Sequence, residues 1–186
     1  MNRRDAVQYI SLLLGGTLVG SNVFLSGCTS NTGVSMNFTD ADISFLDEVA
    51  DTILPSTKTP GAKAANTGKF MTIMVNDCYE EKDQKIFHKG MSELDNLSKK
   101  SYDNSFVKID PKQRHDLLVK LDAEQKEFMK NKKEGDPSPY FRMMKELTML
   151  GYFTSEIGCK EARRYFETPG KYEGDIPYKK GDKAFA

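Results

Sequence analysis

From Asn37 onward the apolar residues recur at three- and four-residue steps between Pro and Gly punctuation, and no stretch sustains an apolar/polar alternation. That step places side chains along one stripe of a helix, whereas a half-buried strand needs a period of two. The chain is therefore expected to be all-α, a compact multi-helix bundle with an irregular C-terminal tail. Thr39 with Asp42 three places on forms a start signal, and Ile43, Leu46, Val49, Ala50 and Ile53 then recur until Pro55. Two prolines and a glycine make Pro55 to Ala62 a backbone-restricted loop.

A second helix is expected with a stripe of Phe70, Ile73, Met74 and Asp77 to Cys78, and a third with Ile86, Phe87, Met91, Leu94 and Leu97. Phe106 reads as a plug from the following loop into the core. Asp110-Pro111-Lys112-Gln113 combines an N-cap, a proline at the first helical position and a glutamine at the third. Leu117, Leu118, Leu121 and Phe128 give that helix its apolar face. The charged, Pro-rich run Lys130 to Pro139 breaks the chain, and Ser138-Pro139 opens a helix with Phe141, Met144, Leu147 and Leu150 that runs into Tyr152 and Phe153. It is expected to be the most buried helix. Ser155 reads as an N-cap and Gly158 as an interruption before Cys159 to Phe166. Residues 38–167 form the expected helical domain, and 168–186 the tail, too aromatic for a plain linker.

The 186 residues carry 27 Lys plus Arg against 27 Asp plus Glu, so formal net charge is zero. A charge-driven grip on nucleic acid or on anionic lipid depends on many unopposed cations, and this balance argues against both. At 38% hydrophobic and 29% charged the composition is that of a folded domain.

The first 27 residues read as an export address. Arg3 and Arg4 precede a moderately apolar run, Ala6 to Leu25, diluted by Gly15, Gly16, Gly20 and Ser21-Asn22. The arginine pair before a weakly hydrophobic stretch resembles a twin-arginine signal, with the general secretory route as the alternative. Leu25-Ser26-Gly27-Cys28 resembles a bacterial lipobox, in which Cys28 accepts the lipid that tethers the protein to a membrane. Processing there removes 27 residues and leaves 159 of the 186, with 28–37 as a short polar tether. Cys78 and Cys159 then remain in the folded part. Outside the cytoplasm such a pair is a candidate disulfide, worth on the order of 4 kcal/mol for a loop of about 80 residues; two buried thiols are the equal alternative.

No residue set has the spacing of a catalytic device. His88 and His115 fall on different helices beside Lys89 and Arg114, where solvated faces explain both. Met71, Met74, Met143, Met144 and Met149 sit at helical spacing and read as core or contact residues rather than copper ligands. No Gly-rich phosphate cradle and no Cys-x-x-Cys-His are present.

Asp51-Thr52-Ile53-Leu54-Pro55, Thr59-Pro60-Gly61-Ala62, Asn76-Asp77-Cys78-Tyr79 and Gly151-Tyr152-Phe153-Thr154-Ser155-Glu156-Ile157-Gly158 together resemble the gluconate 2-dehydrogenase subunit 3 family, over about Phe38 to Ile176. Cys28 departs from it, a lipobox not being general to that family. The resemblance implies a small accessory subunit, without a cofactor of its own, of a periplasmic sugar or sugar-acid dehydrogenase. Its partner would be a large FAD-containing flavoprotein of the glucose-methanol-choline type, often accompanied by a cytochrome c carrying haem. The small subunit would carry the export signal for that partner and stay bound as a structural chaperone. The residues expected to dock it are Pro55, Pro60 and Gly61 in the rigid loop, Tyr152 and Phe153, and the tail residues Tyr172 and Tyr178. Backbone geometry alone is the alternative role for Pro60, Gly61 and Gly151. The competing reading is a stand-alone helical envelope lipoprotein that scaffolds a complex or binds a ligand.

Overall fold

The computed structural model describes residues 37–168, 170–171 and 173–185. Its α-helices are α1 (Asp40–Ile53), α2 (Thr67–Cys78), α3 (Glu81–Tyr102), α4 (Pro111–Asn131) and α5 (Tyr140–Thr154), with a 3-10 turn at Lys63–Ala65 and a π-helical turn at Gly158–Ala162. Among the described residues the only β pairing is an isolated bridge between Arg164 and Phe185. The fold is all-α, as the helical period predicts.

The helix starts follow their cap residues. Thr39 N–H donates to Asp42 Oδ2 at 2.8 Å and its Oγ1 accepts from Asp42 N–H, so two orphan amides are satisfied at the start of α1. Pro111 opens α4, with Gln113 Oε1 accepting from Asp110 N–H at 3.0 Å.

The bundle is organised around α5, which touches each of α1 to α4. Seven of its 15 residues are buried, including Phe141, Met144, Leu147 and Tyr152. The core continues through Leu46 and Val49 of α1, Met71 and Val75 of α2, Phe87 and Leu94 of α3, and Leu117 of α4. Phe106 is fully buried from the loop between α3 and α4, its ring 5.5 Å from that of Phe45 and its N–H donated to Asp95 Oδ1 at 2.9 Å. Helices α1 and α2 meet backbone to side chain at Gly68, whose N–H donates to Asp47 Oδ1 at 2.8 Å. Burial there pushes the Asp47 carboxyl up, with the Gly68 N–H and Lys63 opposing.

Several expected positions are corrected. In α2 the buried stripe is Thr67, Gly68, Met71, Thr72 and Val75, while Ile73 is exposed. Phe70 and Met74 of the expected stripe do pack, half-buried, against the core; the fully buried line runs beside them because α2 is covered on two sides, by α1 at Gly68 and by α5 at Phe70. Phe128 and Leu150 are exposed: Phe128 lies beyond Gln125, the last buried residue of α4, and Leu150 shares the outer face of α5 with the exposed Glu146 and Thr154. His88 is not on a solvated face: its ring stacks on Phe38 at 4.2 Å and its Nε2 is buried without a hydrogen-bond partner.

The Cys78–Cys159 bridge is not formed. Cys78 is exposed at the end of α2, and Cys159 lies on the π-helical turn with its Sγ 3.4 Å from the Phe153 carbonyl oxygen.

Asp122 of α4 links to Lys126 on its own helix and to Lys145 of α5. These ammonium groups hold its carboxyl at about 2, below the ordinary 3.8. The folded value lies under the unfolded one, so the contribution is whole above pH 4 and fades as pH falls toward 2. At this part-exposed site screening leaves about 1 kcal/mol. Asp122→Asn is expected to lower stability by that amount at pH 6 and by nothing near pH 2, as read from urea midpoints.

Candidate functional site

Leu54 to Ala62 forms a closed loop at the end of α1. Pro55 has no N–H with which to continue the helix, and the chain returns so that Ala62 N–H donates to Leu54 O at 2.9 Å. The closure requires Gly61. A Cβ there would lie 2.6 Å from Ser56 N and 2.8 Å from Leu54 O, both backbone atoms that cannot yield. Thr67 then fastens the exit, its Oγ1 donating to Ala62 O at 2.7 Å.

The far side of the loop is held by α5. Tyr152 OH donates to Pro60 O at 2.7 Å, joining two segments 92 residues apart. The Tyr152 ring meets Phe153 edge-on at 5.1 Å, and the Arg163 guanidinium lies 4.8 Å over the Phe153 ring. Below them Ser155 Oγ accepts from Gly158 N–H at 3.0 Å and donates to Tyr152 O at 2.7 Å, which caps the turn after α5. The T-P-G-A loop and the G-Y-F-T-S-E-I-G segment are thus one structural unit.

A charged triad fixes the same corner from beneath. Glu48 of α1 pairs with Lys63, which follows the loop, and with Arg114 of α4. Glu48 and Arg114 are largely buried, and burial pulls the Arg114 guanidinium down from its usual value. No reading of the sequence singled out this triad, because Glu48 and Arg114 are 66 residues apart and each looks like an ordinary polar-face residue.

The expected docking residues divide accordingly. Pro55 is exposed at the loop tip with Ser56, Thr57 and Lys58, while Pro60 and Phe153 are half-buried. Gly61 and Tyr152 are buried. Tyr152 is therefore corrected from a contact residue to an internal strut; its ring fills core space and its hydroxyl is spent on Pro60. Tyr178 is 76% exposed. Tyr172, Cys28, Arg3 and Arg4 lie outside the described residues. At Asn76-Asp77-Cys78-Tyr79, Gln84 Nε2 donates to Asn76 O at 3.1 Å and Tyr79 O at 3.0 Å, so this segment ends α2. Burial pushes the Tyr79 hydroxyl up, with Glu146 adding to it.

A family model described as gluconate 2-dehydrogenase subunit 3 matches residues 40–170. The chain belongs to the gluconate 2-dehydrogenase subunit 3 family. No curated protein and no solved structure matches it. The family name describes a subunit of a gluconate 2-dehydrogenase complex, and the matched span takes in the five α-helices of the described residues and the π-helical turn.

In this subunit 3 chain, no group of three or more His, Cys, Asp or Glu among the described residues could hold a metal ion. Nor is any helix among them long and apolar enough to cross a membrane. At the loop corner Thr67 and Tyr152 spend their hydroxyls on backbone carbonyls, and Glu48, Lys63 and Arg114 pair with one another. Tyr152→Phe is expected to cost about 1 kcal/mol, because the Pro60 carbonyl loses its donor. The local effect exceeds the global one: tryptic cleavage at Lys58 on the loop tip should accelerate several-fold, since the loop can then open without the core.

Proposed function

We propose that this chain is the non-catalytic small subunit and export chaperone of an FAD-dependent sugar or gluconate dehydrogenase complex in the bacterial periplasm. Residues 1–27 act as a twin-arginine signal through Arg3 and Arg4. Cys28 carries the lipid anchor, 28–37 the tether, and 38–167 the helical body. The body docks a large flavoprotein of the glucose-methanol-choline type, with a cytochrome c as a further subunit. FAD and haem belong to those partners. A twin-arginine route passes folded cargo, and a flavoenzyme must fold around its cofactor before export, so one signal can serve both chains.

The observation that carries this reading is the family match combined with the loop corner. Two of the segments that define the resemblance meet at the Tyr152–Pro60 hydrogen bond, and their joint product is a rigid exposed tip rather than a pocket with reactive groups. Pre-organised loops bind with less ordering cost than mobile ones, which suits a permanent subunit. Pro55, Phe153, Tyr172 and Tyr178 are the contact residues in this proposal. Pro60 and Gly61 set the loop's shape.

The test is capture of the tagged full-length chain from membranes, followed by an absorption spectrum of what accompanies it. A flavin spectrum and a companion of several times the chain's mass are expected. Recovery of the chain alone, with sugar oxidation intact in a strain lacking it, would overturn the proposal. Arg3→Lys with Arg4→Lys should leave both proteins in the cytoplasm.

A further inference from the structure

The C-terminal tail does not trail freely from the body but folds back on the π-helical turn. Arg164 N–H donates to Ala184 O at 2.8 Å, the Phe185 ring lies 4.8 Å from the Arg164 guanidinium, and Lys183 Nζ donates to the Glu161 carbonyl oxygen. Between tail and turn is an open hollow of about 580 Å³ lined by Lys160, Arg163, Arg164, Tyr165, Gly181, Asp182 and Lys183.

Its charge is one-sided. Four cations line it against the single Asp182 carboxylate, which already accepts Lys179 N–H at 2.8 Å. Lys160 is paired with Glu156 at 2.7 Å. Among the described residues the arginines in ion pairs are Arg114 and Arg142, and neither Arg163 nor Arg164 is paired with a carboxylate there. Each instead has an aromatic ring beneath its guanidinium carbon at 4.8 Å, Phe153 for Arg163 and Phe185 for Arg164. A ring on its face orients a guanidinium while leaving the in-plane N–H fork open, and that fork matches the oxygens of a phosphate. Tyr165 completes the lining.

We propose that this hollow is a phosphate-binding site, with Arg163 and Arg164 as its bidentate ligands and Lys183 closing it from the tail. The zero net charge of the chain does not oppose this. A polyanion needs a broad cationic face, whereas one phosphate group needs only a local imbalance. The phosphate can come from an anionic phospholipid headgroup or from a soluble phosphorylated compound.

The test uses the mature chain, residues 28–186, with Cys28→Ser, so that neither the export segment nor an acyl chain contributes to membrane binding. Inorganic phosphate is titrated against chloride of matched ionic strength while the arginine Nε–H resonances are followed. Saturation with a dissociation constant on the order of 1 mM is expected. Arg163→Gln with Arg164→Gln should weaken binding at least ~10-fold. Arg163→Lys with Arg164→Lys, which keeps the charge and removes the fork, should weaken it roughly 5-fold. Lys183→Gln is a second, independent variant on the tail alone, with an expected loss of about 2-fold to 3-fold; melting curves show that each variant remains folded. Flotation with phosphatidylcholine vesicles containing phosphatidylglycerol separates the sources. Flotation that free phosphate competes away identifies a headgroup, and a saturable phosphate response without flotation identifies a soluble ligand. A phosphate response that does not saturate, or lysine variants that bind as well as the parent, would overturn the site in favour of diffuse charge. Loss of partner capture in the glutamine variant without any phosphate binding would likewise overturn it, in favour of a protein contact.

Discussion

Phe106→Ala will remove about 4 kcal/mol of folding stability, the cost of deleting a fully buried aromatic ring from a site that cannot collapse around the gap. Phe106 lies in a loop, yet it is as enclosed as any helical core residue, with its ring against Phe45 and its backbone tied to Asp95. Those contacts join the α3–α4 connection to α1. Total stabilities of such domains are about 5–15 kcal/mol, so a loss of this size takes a large share. For a domain of this length the melting midpoint should fall by about 12 °C. Phe128→Ala is the matched control, since that ring is exposed and its removal should cost under about 1 kcal/mol. Equal losses for the two variants, read from urea unfolding, would mean that Phe106 does not anchor the core.

Gly158→Ala is the second large effect, at about 3 kcal/mol, and it acts through space rather than through a side chain lost. A Cβ at Gly158 would sit 1.8 Å from Tyr152 O and 2.7 Å from Tyr152 C. Both are backbone atoms at the end of α5, so the helix end and the π-helical turn must move apart. That separation breaks the Ser155 cap and shifts Tyr152, whose hydroxyl holds Pro60. The variant is therefore expected to unfold at lower urea and also to expose Lys58 to trypsin faster than the stability loss alone explains. Capture of the flavoprotein proposed above should weaken in parallel. Wild-type midpoints in Gly158→Ala would show that the turn can be displaced at no cost.

Much of the candidate site was legible as residues and little of it as geometry. The prolines and Gly61 announce a restricted loop, and Ser155 announces a cap, because both act on their own neighbours in the chain. Tyr152 was readable as important but not in its role. A tyrosine at the end of an apolar helix looks the same whether its hydroxyl meets solvent, a partner or a carbonyl 92 residues earlier. The Glu48–Lys63–Arg114 triad was invisible for the same reason, and so was the meeting of Arg164 with Phe185. His88 was misplaced because charged neighbours suggest a wet face, while the ring that covers it, Phe38, comes from before α1.

The all-α class, the helix starts at Thr39 and Asp110, the break before α5 and the plugging role of Phe106 were determined by the amino-acid sequence alone. Caps, proline geometry and apolar period are interactions between residues a few positions apart, and they hold whatever the rest of the chain does. Which face of α2 is buried, which aromatic side chains reach solvent and which cations go without an acidic partner were decided only when α5 packed against the four other helices. Those outcomes depend on distances between residues remote in sequence, and no local pattern encodes such distances.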